Sequence, residues 1–255
     1  MVLIFWIACK GVEPAPADVD SLCSYLWRNF DLEDDAALQE GIRSLHSIMD
    51  ADAFEDVIDG SISNLQEEDL VAVGKEGAER LSGVFFVNKV GCPLEQVEKN
   101  VYSLKQDELH PGTYDSYFRE YTSDFEAYTN REEDFLSWDT TYAVSGFGYA
   151  YEASLSNRMR YSAKENDADF ADLFISRAVL NAPAYFDEGS TERGMFQDYQ
   201  LELFYKLNES ESFHLFAIWR EMTLIGDVSF ASESAQRLVL DGLLEWDDDH
   251  EINCP

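Results

Sequence analysis

Few residues of this chain have chemistry to offer, and most of them sit on segments that alternate apolar and polar. Side chains of an extended strand point to opposite faces with period two. His214 therefore faces the same way as Phe216, Ile218, Arg220 and Met222. An imidazole and a guanidinium on one sheet face can hold a carboxylate or a phosphate. The plainer alternative is an Arg220 paired with a neighbouring Asp or Glu. Arg119 falls in register with Tyr117 and Tyr121 on what reads as an inner face. An unpaired buried charge is costly, so Arg119 needs either an acid from another strand or the anion of a ligand. Trp138, Tyr142, Tyr149, Tyr151, Tyr199 and Trp219 read as an aromatic lining, and equally as core. The candidate ligand-binding set is Arg119, Trp138, Tyr142, Tyr151, Tyr199, His214, Trp219 and Arg220.

The other histidines read as structural. His46 lies beside the apolar stripe of an amphipathic helix, and His110 precedes Pro111-Gly112 in a turn. His250 sits in Asp247-Asp-Asp-His-Glu251, a run expected to be solvated and to stop a helix, because carboxylates at a helix C-terminus oppose the macrodipole. Motifs for catalysis fail on inspection. There is no Gly-x-Ser-x-Gly elbow, and Ser145-Gly-Phe-Gly148 lacks the strand–turn–helix setting of a phosphate loop. Asp50 to Asp56 begins like a calcium loop, but Phe54, Glu55 and Ser61 stand where a ligand, the glycine and the closing glutamate belong. No Cys-x-x-Cys pair is present. No catalytic residue, metal ligand or cofactor is assigned.

These residues must be positioned by a mixed set of elements. Asp18 caps a helix to about Asn29, and a second helix carries Leu38, Ile42, Leu45 and Met49 on one stripe. Residues 50–80 are acidic and weakly patterned, so 18–80 reads as a helical region. From Gly83 the pattern changes. Val84 to Val87 is a strand, and a helix follows Pro93 with Leu94, Val97, Val101 and Leu104 at helical spacing. Period-two segments then run over 117–126, 136–144 and 147–160, with further strands at 173–180 and 199–207. Phe213 to Leu224 is apolar on both faces and reads as a central, doubly covered strand. Ser232 or Ser234 caps a long last helix. The fold class is α+β: an N-terminal helical region, then (81–255) a curved antiparallel sheet with a C-terminal helix.

Charge and cysteines bound the setting. With 51 acidic and 18 basic residues the net charge is −33. Nucleic acid is excluded, since phosphate backbones are held by Lys and Arg. Anionic membrane surfaces repel the body of the protein as well. Met1 to Cys9 is an apolar run ending Ala8-Cys9, and Pro14 and Pro16 mark 10–17 as a linker. This resembles the end of a bacterial lipoprotein signal peptide, with Cys9 as the lipidated residue. The resemblance implies an extracytoplasmic protein of the cell envelope, tethered to the membrane through that lipid alone. Three cysteines then remain in an oxidising compartment, where one disulfide is expected. Cys92 with Cys254 is the favoured pair and Cys23 a buried thiol, although the sequence leaves the connectivity open.

From about residue 80 to 250, the order strand, helix, antiparallel strands, long helix is similar to the helix-grip fold of START-like domains. In that fold a curved sheet wraps a C-terminal helix around a greasy cavity. A lipocalin-like closed barrel is the alternative. Both resemblances imply binding of apolar, lipid-like ligands. An envelope interaction protein with a filled core is the second reading, and a hydrolase using His214 or carboxylates the third. No protein partner is identified.

Overall fold

The computed structural model describes residues 14–51, 53–146, 149–164, 169–186, 191–224 and 228–254, without the Tyr149 side chain. The apolar N-terminal run, Cys9 and the first part of the 10–17 linker lie outside the described residues.

Two helices open the described chain. Asp18 accepts a hydrogen bond from Ser21 N at 2.8 Å and starts α1 (Val19–Asn29). In α2 (Ala36–Met49) a Cβ at Gly41 would lie 2.6 Å from Leu26 Cδ2, so glycine lets the two helices meet. The acidic stretch after them holds a strand, β1 (Ile58–Ile62), a short helix α3 (Glu67–Val71) and a 3-10 turn at Ala78–Arg80. The helical expectation for 18–80 is thus corrected at β1. Its exposed residues give no periodic signal, and it is ordered by pairing with the next strand, β2 (Ser82–Val90).

Then come α4 (Leu94–Tyr102) and a short second helix, α5 (Gln106–Leu109), where the sequence suggested one. Strand β3 (Ser116–Tyr121) is shorter than its alternation, because Asp124 accepts from Ala127 N and turns the chain into α6 (Phe125–Thr129). The remaining strands are β4 (Phe135–Gly146), β5 (Tyr149–Ser162), β6 (Leu173–Leu180), β7 (Ala184–Tyr185), β8 (Gly194–Lys206) and β9 (Ser212–Thr223). Ser232 caps the last helix, α7 (Glu233–Ile252).

All pairings among these strands are antiparallel, in the order β1-β2-β9-β8-β6-β5-β4-β3, with β7 beside the start of β8. β1 and β3 form the two edges and do not meet. The sheet is therefore open, and the closed lipocalin-like barrel is ruled out. The curved sheet with α7 laid across it is the helix-grip arrangement.

The sheet is covered on both faces. On one, α1 and α2 pack Leu22, Leu26, Trp27, Leu38, Ile42 and Leu45 onto the odd-numbered residues of β8 and β9, from Tyr199 to Tyr205 and from Phe213 to Trp219. On the other, α7 packs Ala235, Leu240 and Leu243 against Val84, Phe86, Phe216 and Ile218. At one end of that face α4 adds Leu94, Val97 and Val101 against Trp138, Met159, Phe174 and Phe204. Cys92 and Cys254 are joined there, tying the end of α7 to the start of α4, and Cys23 is a buried free thiol.

α7 does not stop at the acidic run. Its carboxylates have partners on other elements: Asp247 meets His214 and Asn88, Asp249 meets His110, and Glu251 accepts from Gly91 N. These contacts offset the unfavourable placement near a helix C-terminus.

Candidate ligand cavity

Between the sheet and α7 lies a cavity of about 580 Å³. Its floor comes from β3, β4, β5, β8 and β9, its roof from α7, and one side from the turn after α5. That turn is shaped by Gly112, whose φ of +88° suits glycine. Val144, Leu155, Ile218, Met222, Leu243 and Trp246 supply an apolar wall. Polar side chains stand among them, and each has its own history in the fold.

Arg119 projects from β3 into this space. Its Nε donates to Tyr117 Oη at 2.8 Å and its Nη1 to the Val101 carbonyl at 2.5 Å. The guanidinium carbon lies 4.7 Å from the centroid of the Trp138 ring, a cation–π distance. No carboxylate among the described residues forms an ion pair with it. Arg220 differs: its Nε donates to Asp198 Oδ1 at 2.7 Å, and Asp198 is fully buried. Burial opposes the Arg220 charge, but the Asp198 carboxylate more than offsets this and its pKa is raised. Arg220 is therefore neutralised by the protein itself.

Glu202 also faces the cavity, from β8. Ser176 Oγ donates to it at 3.2 Å, and His214 Nε2 lies 3.6 Å away. Burial raises its pKa, because removing water penalises the carboxylate. His214 itself sits behind the wall. It stacks on Phe204 at 3.8 Å between centroids, and its Nδ1 lies 2.8 Å from Asp247 Oδ1. His110 and His250 line the cavity with their rings 5.5 Å apart, and His110 Nδ1 lies 3.0 Å from Asp249. Burial lowers the pKa of both, that of His250 down to about 3. His250 Nδ1 finds no hydrogen-bond partner among the described residues. No group of three His, Cys, Asp or Glu among these residues is gathered to hold a metal ion.

Of the residues proposed from the sequence, the fold brings Arg119, Trp138, Tyr142, Tyr151 and Arg220 to one cavity. Burial drives the Tyr142 hydroxyl well above its usual pKa, so it is an uncharged donor. His214 supports the wall and does not line it. Tyr199 and Trp219 are corrected outright: they lie on the opposite face, where Trp27 meets both edge-on at 6.0 and 5.8 Å. Trp219 Nε1 donates to the Ser63 carbonyl and Tyr199 Oη to Gln197. The side chain of Tyr149 lies outside the described residues. Glu202, His110 and His250 were missed as cavity residues. For Glu202 the signal was present, since the polar register of β8 is the register that faces the cavity. His250, in a run whose sequence suggests solvation, is 4% exposed.

The class defined here is an α+β helix-grip domain with a ligand-sized cavity beneath its last helix. No family model matches the chain, and no curated protein matches its sequence. Among solved structures it is similar to the human StarD13 (DLC2) lipid transfer and protein localization domain, at 9% identity and a TM-score of 0.42, over 82% of this chain and 95% of that one. It is similar to human STARD10 at 6% identity and a TM-score of 0.43, over 74% and 81%. A START superfamily protein from Mycobacterium smegmatis gives 9% identity and a TM-score of 0.41, over 66% and 94%.

Proposed function

We propose that this protein binds or carries an apolar, lipid-like ligand in the cavity beneath α7 and does not transform it. The cavity itself carries this reading. The face beneath α7 leaves about 580 Å³ open, within the usual range for small-molecule sites. A filled core would have favoured the envelope interaction protein instead. The hydrolase reading through His214 loses its support from the placement of that ring, which is absent from the cavity lining and stacked on Phe204 behind it.

We place the protein outside the cytoplasm, anchored through a lipid on Cys9. The apolar run ending in Ala8-Cys9 supports this, as does the Cys92–Cys254 disulfide, a bond that persists in oxidising compartments. No helix among the described residues is long and apolar enough to cross a membrane. Lipid-derived mass on the Cys9 peptide, and its loss with release from membranes in Cys9→Ala, is the expected result. An unmodified Cys9 in membrane-free protein refutes the anchor.

Native mass spectrometry of the protein exported to a bacterial periplasm tests the carrier reading. Adduct masses that survive gentle transfer and vanish after organic extraction are expected. A bare mass, together with failure to take up any added amphiphile, overturns it.

A further inference from the structure

We infer that the ligand is a single-chain amphiphile ending in one carboxylate, with that carboxylate held by Arg119 and the chain lying along the apolar wall beneath α7. This rests on the carrier reading and names its ligand class.

The chain is strongly acidic, and four other buried or half-buried arginines have carboxylate partners within the fold. Arg131 pairs with Glu98, Arg160 with Asp35, Arg177 with Asp31 and Arg220 with Asp198. Arg119 has no such partner, although it stands inside the cavity. What it does have is a mount. Tyr117 Oη and the Val101 carbonyl take donors from Nε and Nη1, and the ring of Trp138 lies beneath the guanidinium. These contacts fix the plane of the fork and leave the remaining Nη donors unused. Parallel Nη donors match the two oxygens of a carboxylate.

The surroundings favour a single negative charge. Glu202 faces the same cavity, and burial raises its pKa, which opposes its ionisation there. A dianionic phosphate would bring a second charge that no other free cation among the lining residues can meet, because Arg220 is already paired. A cationic head would face Arg119 itself. Beyond the head, Leu155, Ile218, Met222, Leu243 and Trp246 offer only apolar contact, which suits an alkyl chain.

The test is calorimetric titration of the delipidated full chain with dodecanoate, dodecanol and dodecylamine, below their micellar concentrations. Dodecanoate is expected to bind roughly tenfold to a hundredfold more tightly than dodecanol, the range of a charge-assisted hydrogen-bond pair. Arg119→Gln should erase that preference by weakening dodecanoate far more than dodecanol, and an unchanged thermal midpoint shows that the variant is folded. Arg119→Lys keeps the charge without the fork and should retain part of the preference. Equal binding of acid and alcohol, or a preference for the amine, overturns the carboxylate assignment and leaves the carrier reading standing. A preference that survives in Arg119→Gln overturns the role of Arg119. If none of the three binds, both readings fall.

Discussion

On the face beneath α1 and α2, strands β8 and β9 contribute Tyr199, Leu201, Leu203, Leu215, Ala217 and Trp219, and Trp27 meets Trp219 edge-on. On the face beneath α7, the same two strands contribute Gln200, Glu202, His214, Ile218 and Arg220. The first face buries charge as a staple. Arg160 and Arg177 bond the last carbonyls of α1 and the residues after it, at Trp27, Phe30 and Leu32, together with Asp31 and Asp35. Those carbonyls have no partner within the helix, and a cation suits that end. The second face keeps polar groups around open space. One set of strands thus serves as a packed platform on one side and a lined cavity on the other. Such a division lets cavity-facing residues vary without loosening the platform.

Several substitutions can break or sharpen this contrast. Trp219→Ala, on the packed face, should cost about 3–5 kcal/mol, as for large aromatic truncations in cores, with ligand adducts retained. The denaturation midpoint and a native mass spectrum check both halves. Lost adducts with unchanged stability would reverse the assignment of faces.

Cys254→Ser releases the end of α7 from a crosslink spanning 162 residues. Removing a native disulfide of this kind typically costs about 2–5 kcal/mol. Because it clamps only the cavity face, reduction should also weaken ligand retention before global unfolding, which graded reductant with native mass spectrometry would detect.

Acid should act on the cavity face as well. His250 and His110 have pKa values below their unfolded value of 6.5, that of His250 at about 3. Between these limits the unfolded chain binds more protons. The His250 contribution to stability is therefore full above about 6.5 and is lost as pH falls towards about 3, on the order of a few kcal/mol, and that of His110 changes in the same direction. Glu202, with its raised pKa, acts in the opposite sense: its contribution is present below 4.5 and fades as pH rises through its folded value. Thermal unfolding from pH 7 downward should show a falling midpoint that His250→Gln partly flattens. An unchanged slope in that variant would refute the assignment.

The smallest effect on stability is expected at Gly242, in the middle of α7 at the cavity rim, where an added Cβ would meet nothing within 4 Å. Gly242→Phe should change stability by under about 1 kcal/mol and slow ligand uptake by narrowing the mouth. Stopped-flow association of a fluorescent fatty acid measures this, and an unchanged rate would place the mouth elsewhere.

Much of the fold was legible locally. The Asp18 cap, the stripe of α2, the alternation in β4 and β5 and the double burial of β9 follow from periodicity and capping, which act over a few residues. The order of elements from residue 80 onward was legible for the same reason. β1 was not, because a weakly patterned edge strand is defined by its partner. The helical span of Asp247 to Ile252 was hidden likewise, since its stability comes from His214, His110 and Gly91, which are remote in sequence.

The site divides in the same way. Period two alone determined that Arg220 and Trp219 face opposite ways, and that His214 faces with Arg220. It could not say which face holds the cavity, because β9 is buried on both sides and each register reads as an interior. The sequence by itself therefore determined the elements, the sharing of faces and the strongly acidic charge of the chain. Only the tertiary structure decided that the even register of β8 and β9 looks onto open space. Only it decided that Arg220 is neutralised by Asp198 while Arg119 is left without a carboxylate. Those outcomes depend on which helix covers which face, and that is set by packing between segments far apart in the chain.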